Sequence, residues 1–568
     1  MAWITGTSTD YRNLLDQLVQ VTTSDHVSAV AIAGGGSGHA VDDILTITDG
    51  TRTHSATLRV TSVATGVIDG IQVESWGAYT VDPDLTATTA WTTSGSGTGA
   101  TFNLTMESDR WTIDRRAQEA VSAAIATAGT GYTVGDQLTL TADGGAVPGA
   151  SAYAGVFGVL PVFEVATISG GGGTGPVASV TLVTAGHLEE VADVDLGTGG
   201  NQATVTGGTG ASAVLTVTYQ NVGASQEDLI VFNAPGSGSD NIRTAIRTHT
   251  VTDTTGFLTC YNWQLFGLVE YNAGLPLHSQ VEISPGMSAS TGARISSGAA
   301  YMILKENDAD PDITFWMSIT NRRMIVVCKV QTGSATHYSS MYLGLLNAFS
   351  TEALEPYPMW VQGCSNRDNA HWGDTQIGRI CGLSDMYGLA GSDLNGAGVG
   401  TDGPAFSRVA GGSWSSFRNS SVSGDGVSPN RATVADFTMW PTGLQTYSLE
   451  NFYDRTTFQT ASGVNFDDIV PTLGNPGAQN YQLRPTPNTG DDVRALFPLT
   501  PLATDNPSGS IFTYQPLGEL EGCFWLSASD ATTALTSEDI QKDGEVRYIV
   551  FQNGNQNQDF SFFALKQD

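Results

Sequence analysis

Hydrophobic and polar positions along this chain follow two different periods. Over Thr9–Val21, TDYRNLLDQLVQV, Leu14, Leu15, Leu18 and Val21 fall on one face at helical spacing, which predicts an amphipathic helix. Thr7, Ser8 or Thr9 can cap it, and Asp10 suits its positive end. Beyond this point the period is two. Leu58-Arg-Val60-Thr and Ile71-Gln-Val73-Glu alternate as half-buried strands do. Arg243–Val251, Cys260–Tyr271, Ile313–Val330 and Met341–Leu346 alternate or carry aromatic and β-branched residues. Strand character resumes at Thr433–Trp440, and GELEGCFWLSA, EVRYIVFQ and DFSFFAL close the chain with three more strands. Gly391–Asn430, rich in Gly, Ser and Asn, is too long for an ordinary loop and reads as an exposed arm or interaction loop. Asn465–Arg494, rich in Pro and Asn, reads as extended.

One pattern is spelled twice. Ala29–Ile47, AVAIAGGGSGHAVDDILTI, returns as Ala123–Leu140, AAIATAGTGYTVGDQLTL. Each copy ends on a matching stretch, GTGATFNLT at Gly97–Thr105 and GTGASAVLT at Gly208–Thr216. Such self-similarity marks a duplicated folding unit, expected here as a small β-sandwich or β-roll of roughly 80–100 residues. Between the copies lies ESDRWTIDRRAQEA, Glu107–Ala120, and after them QEDLIVFNAP, Gln226–Pro235. Both differ in character from the repeats. The arrangement predicts a nested chain in which residues 1–26, 107–120 and 220–568 build one core region, while 27–106 and 121–219 are insertions in its loops. Insertion at exposed turns is tolerated because loop entropy grows slowly with length. The expected fold class is mainly β and multi-domain, with sandwich or roll architecture, one N-terminal helix and two inserted modules.

Composition narrows the function. Of 568 residues only 14% are charged, against roughly a quarter in ordinary soluble proteins, so Thr, Ser, Asn, Gln and Gly must cover much of the surface. The length leaves room for roughly three or four domains. The formal net charge of -32 argues against nucleic acid and against an anionic membrane surface, since both bind through Lys and Arg. The lysines are Lys305, Lys329, Lys542 and Lys566, none of them in the first 300 residues. The N-terminal stretch has no basic-then-apolar pattern of a secretory signal, and no run of about 18 apolar residues occurs. Cys260, Cys328, Cys364, Cys381 and Cys523 form no CxxC pair, which argues against a zinc site or a disulfide framework and for buried thiols.

Candidate chemistry is thin. Gly34–His39 and Gly170–Gly175 look superficially like phosphate loops, but no helix follows either and no GK[ST] occurs, so both read as turns. ENDADPD, Glu306–Asp312, spaces its acids like part of a calcium loop. It lacks the loop's Gly and distal Glu, so a solvated turn is expected. His371 beside Asp374 has no partnered nucleophile. A spatial carboxylate pair able to cleave glycans would draw first on Asp374, Asp385, Asp425 and Glu450. Trp360, Trp372, Trp414 and Trp440, with Tyr357, Tyr387 and Tyr447, are the aromatic candidates, read first as core and subunit interface and second as sugar-stacking platforms. No cofactor, metal or catalytic residue is assigned.

Several segments outside the repeats, YNWQLFG at Tyr261–Gly267, FWMSITNRRMIVVCKV at Phe315–Val330, MYLGLLNAFSTEALEPYPMWVQG at Met341–Gly363, GELEGCFWLSA and the aromatic ending, together with the opening TDYRNLLDQLV, resemble a family of tailed-bacteriophage virion proteins. The resemblance implies a component of the tail or baseplate, homo-oligomeric as a trimer or hexamer, assembled in the host cytoplasm and contacting other virion proteins. It implies Gly-rich insertions as optional modules and carries over no catalytic residue. The expected function is assembly and display, with host-surface glycan as a further partner. The alternatives are a glycan-degrading or glycan-binding tailspike or fibre, and a head-decoration or collar protein.

Overall fold

The computed structural model describes residues 3–140, 159–189, 202–235 and 243–252 almost throughout, most of 259–365, and further stretches at 405–409, 413–416, 437–440, 496–505, 513–527, 537–552 and 561–567. The fold is mainly β, with one helix among the described residues, Tyr11–Thr22. The helix starts one residue later than the hydroxyl caps predicted for it. Asp10 is the cap, and its Oδ1 accepts from the Arg12 and Asn13 amides at 2.8 and 2.7 Å. A carboxylate both satisfies these orphan donors and complements the helix dipole, which explains why it prevails over Ser8. Ser8 instead donates its hydroxyl to Asn13 Oδ1.

Two sheets build the core, and both are assembled from distant parts of the chain. In the first, the edge strand Ile4–Ser8 pairs antiparallel with Ile313–Ile319, followed in order by Arg323–Thr332, Ala335–Leu345, Met359–Gln362, Ala405–Val409 and Ser413–Ser416. In the second, Thr112–Arg116 lies at the edge against Leu229–Asn233, followed by Arg243–Thr252, Thr259–Leu268, Ala300–Lys305 and Cys364–Ser365. The strands flanking each repeat therefore pair with strands beyond both repeats.

The apolar faces of both sheets and of the helix meet in one cluster that includes Leu14, Leu18, Trp111, Phe232, Trp263, Phe315, Val326 and Tyr342. Trp263 Nε1 donates to the carbonyl of Tyr11, tying sheet to helix. A third sheet joins the cluster from the C-terminal part: Leu496–Pro498, Cys523–Ser527, Ser561–Gln567, Val546–Gln552 and Ile540–Asp543. Its Phe551 packs edge-on against Trp316, with ring centroids 4.9 Å apart.

Each repeat folds as the same six-stranded unit. In the second, the sheet order is Gln118–Thr130, Ala211–Asn221, Gln202–Thr206, Gln137–Leu140, Val162–Ile168, Val177–Thr184. In the first, the pair His26–Ser37 and Thr98–Glu107 sits beside the sheet Trp91–Thr93, Ile44–Ile47, Thr57–Ala64, Val67–Ser75, which repeats that order. The first module adds a small pair, Thr51–His54 with Ala78–Val81. The two alternating runs read as strands from the sequence are strands here, and they pair with each other, Leu58 with Val73 and Val60 with Ile71.

The matching ends superpose differently from their spelling. Ser37 pairs with Thr98 and Ile32 with Phe102, while Thr130 pairs with Ala211 and Ile125 with Leu215. The equivalent of Gly97 is thus Gly210, two residues on from the match suggested by GTGA. Side-chain packing sets this register. A Cβ on Gly97 would collide with the His39 ring, and one on Gly210 with the Tyr132 ring, the same position in the two modules. Gly99 and Ser212 then coincide, and both have left-handed backbones, at φ 75° and 63°.

The Gly34–Ser37 segment is the end of a strand, not a turn. Its Gly36 and the equivalent Gly129 take positive φ within the paired strands.

Candidate functional site

The aromatic positions singled out from the sequence do not assemble into one described surface. Trp360 is completely buried, and its Nε1 donates to Gln362 Oε1 at 2.8 Å. It offers no face to a sugar or a partner, because the strand Met359–Gln362 is interior to its sheet and buried along its whole length. Trp414 lies in the strand Ser413–Ser416, opposite Arg408, and Trp440 lies in Phe437–Trp440, opposite Thr500 in a separate three-stranded sheet. Trp372 and Tyr387 lie outside the described residues, as do Tyr357, Tyr447, His371, Asp374, Asp385, Asp425, Glu450 and residues 306–311.

Among the described residues no group of three or more His, Cys, Asp or Glu is arranged to hold a metal ion. No described helix is long and apolar enough to cross a membrane. Cys328 and Cys523 are free and buried; burial pushes the Cys523 thiol up to about 12 and Cys328 well above its usual range. Such thiols are protonated and inert.

Charge is instead concentrated where the modules meet the core. At the base of the first module, Glu74 accepts from Arg59 Nε and Nη2 at 2.9 and 2.5 Å and from Arg547 Nη1, in the C-terminal sheet, at 2.6 Å. Gln567 Nε2 donates to the Glu74 carbonyl. Burial alone would raise the Glu74 pKa, but the two guanidiniums outweigh it and hold the carboxyl below its usual range. Asp25, nearly buried, is bridged by Arg110. Trp111, where the core chain resumes, takes its backbone N–H to the Thr22 carbonyl and its Nε1–H to the Thr320 carbonyl.

The second module has its own collar. Asp228, with no exposed side-chain surface, sits 3.2 Å from Arg12 Nη1 of the helix and 2.9 Å from Arg116 Nη2. Arg12 also donates to the Gly223 carbonyl at 2.7 Å. Arg115 and Glu189 form a fully buried pair at 3.2 Å. Each base also holds neutral imidazole. His26 Nδ1 is 2.6 Å from the Gly77 carbonyl and His187 Nε2 is 2.7 Å from that of Glu227, so these nitrogens carry the proton. Burial lowers the pKa of His26, His54 and His187.

The far ends of the modules match as well. Asp136 closes the turn at the tip of the second module, accepting from the amides and hydroxyls of Thr133 and Thr209 at 2.8–2.9 Å. These bonds, from the Thr133 and Thr209 amides first, hold its pKa far below the usual carboxylate range. The equivalent Asp43 accepts from the Ala40 amide at 2.9 Å. On the same turns Val41 and Val134 stand 52% and 60% exposed. Both copies keep this valine while the neighbouring His39 and Asp42 have diverged to Tyr132 and Gly135.

Sequence reasoning did not see one feature, an open cleft between the first module and the core. Trp76, Gln72 and Glu107 face Asn321 and Glu521 across it. Its lining spans nearly five hundred positions of sequence, so no local motif could reveal it. The one local signal was Trp76, a large aromatic just outside the alternating run Ile71–Glu74. The chain matches no protein-family model and no curated protein sequence.

Proposed function

We propose that this chain is a structural component of a tailed-phage virion, built into the tail or baseplate region, where it assembles with copies of itself and with neighbouring virion proteins and displays two β modules. The observation that carries this reading is the duplicated six-stranded unit, set twice into one core and clamped at each base by ion pairs. Clamping of that kind fixes the direction in which a module points, which serves display and not turnover. The paired tip valines are consistent with contact surfaces repeated on both modules. The buried thiols and neutral histidines are poor nucleophiles and poor bases where they stand. The acidic, lysine-poor surface disfavours nucleic acid as the partner.

The test is the mass of the purified chain by light scattering, followed by labelling of intact particles with an antibody to the Val41 turn. A discrete trimer or hexamer, with label at the tail end of the particle, supports the reading. A monomer absent from purified particles refutes it.

A further inference from the structure

We infer that the cleft between the first module and the core is a binding site for a neutral saccharide. The cleft is open and encloses about 500 Å³, within the range of small-ligand sites, roughly 300–1,000 Å³. One wall belongs to the module: Ser28 on the first strand, Gln72 on its neighbour, and half-buried Trp76 beside His26, with Glu107 at the foot. The other wall is the core turn carrying Asn321, with Glu521 beyond it.

Both walls are preformed. The core turn is pinned by Trp111 Nε1 on the Thr320 carbonyl, and the module wall by the Glu74–Arg547 pair and the Val27 amide on the Trp76 carbonyl. A ligand would therefore meet little ordering cost.

The lining chemistry selects the ligand. No Lys or Arg lines the cleft, and two carboxylates do, so an anionic ligand is repelled. A purely apolar ligand would strip water from carboxylates and amides without replacing their hydrogen bonds. A ring bearing several hydroxyls satisfies both demands. Its C–H face stacks on the indole, and its hydroxyls donate to Glu107 and Glu521 and exchange hydrogen bonds with Gln72 and Asn321.

The inference stands apart from the assembly role, because it concerns a cleft within one chain. The test uses the full chain against a panel of neutral oligosaccharides of hexoses and N-acetylhexosamines, with uronic-acid and sialylated oligosaccharides as the counter-panel, followed by calorimetry on the best binder. Gln72→Ala and Glu521→Gln, both at half-buried positions, should each weaken binding at least tenfold while leaving the circular dichroism and the denaturant midpoint unchanged. Trp76→Phe, which keeps a ring in place, should weaken it less. Absence of binding to any neutral oligosaccharide at millimolar concentration overturns the inference. So does binding that both cleft variants leave untouched, or a preference for the acidic panel.

Discussion

Replacing Glu74 with Ala should loosen the first module from the core without unfolding either. Among the described residues, Glu74 is the carboxylate that Arg59, inside the module, and Arg547, in the C-terminal sheet, share. Its side chain is 19% exposed, and those of Arg59 and Arg547 are 17% and 10% exposed. Breaking a fully buried pair costs about 3–5 kcal/mol, largely because the surviving charge is stranded. An exposed pair is worth about 0–1 kcal/mol. The partial exposure here places the loss between them, at about 2–3 kcal/mol, and most of it should fall on docking.

Arg547→Ala alone should cost less, since Glu74 keeps its two hydrogen bonds from Arg59. The double variant should then recover about 1 kcal/mol or more of the summed losses, as contacting residues in one network do. Hydrogen exchange followed by mass spectrometry reads this by location. Protection should fall along Val67–Ser75 and Val546–Gln552 and stay unchanged in the second module. The coupling should also depend on pH. The folded-state pKa of Glu74 is depressed, so its stabilisation is complete above the unfolded value near 4.5 and is lost as pH falls through the folded value. Additive single losses at neutral pH, or exchange that rises evenly over the whole chain, would refute the idea that one carboxylate clamps the module.

Three further outcomes are expected. Because burial lowers the pKa of His26, His54 and His187, the unfolded chain takes up protons first as the pH falls below about 6.5. Urea midpoints should therefore be highest above that pH and decline below it, and His26→Gln should flatten the decline. Ser212→Gly relieves a left-handed backbone and should leave the second module equally stable or up to about 1 kcal/mol more stable, whereas Gly99→Ser should destabilise the first by about 1 kcal/mol, both read from denaturant midpoints. Asp136→Ala should raise exchange at the Thr133 and Thr209 amides, with the rest of the second module unmoved.

Local periodicity made most of the described fold legible. Leu14, Leu15 and Leu18 announced the helix, and the alternation of Leu58 and Val60 and of Ile71 and Val73 announced two strands, while their mutual register came only from the ladder itself. What could not be read were choices decided by three-dimensional contact. Asp10 prevails as the cap because its carboxylate reaches two amides at once. The second GTGA slides by two residues because Tyr132 needs a glycine opposite its ring, and that glycine is Gly210. Trp360 is read first as core and only second as a platform, because a Trp beside polar residues looks the same in sequence whether it faces water or, as here, is buried. The cleft was illegible for a different reason: Gln72, Glu107 and Glu521 acquire meaning only once Glu74 has docked the module.

The way the modules are joined explains how a core can carry two insertions and still close. In each module the first and last strands are antiparallel partners: His26 sits opposite Glu107, and Gln118 opposite Asn221. Chain entry and exit are therefore neighbours within one ladder, and the core meets only the short gap between them. Trp111 can fall straight into the core cluster, and Thr112–Arg116 can pair with Leu229–Asn233, as though the intervening modules were tight turns. The long paired strands also replace a flexible linker with a stem. At about 3.3 Å per residue, the twelve residues His26–Ser37 reach about 40 Å from base to tip. A flexible tether of that length would let Val41 sample a wide volume. A ladder clamped through Glu74 and Asp25 fixes where it points.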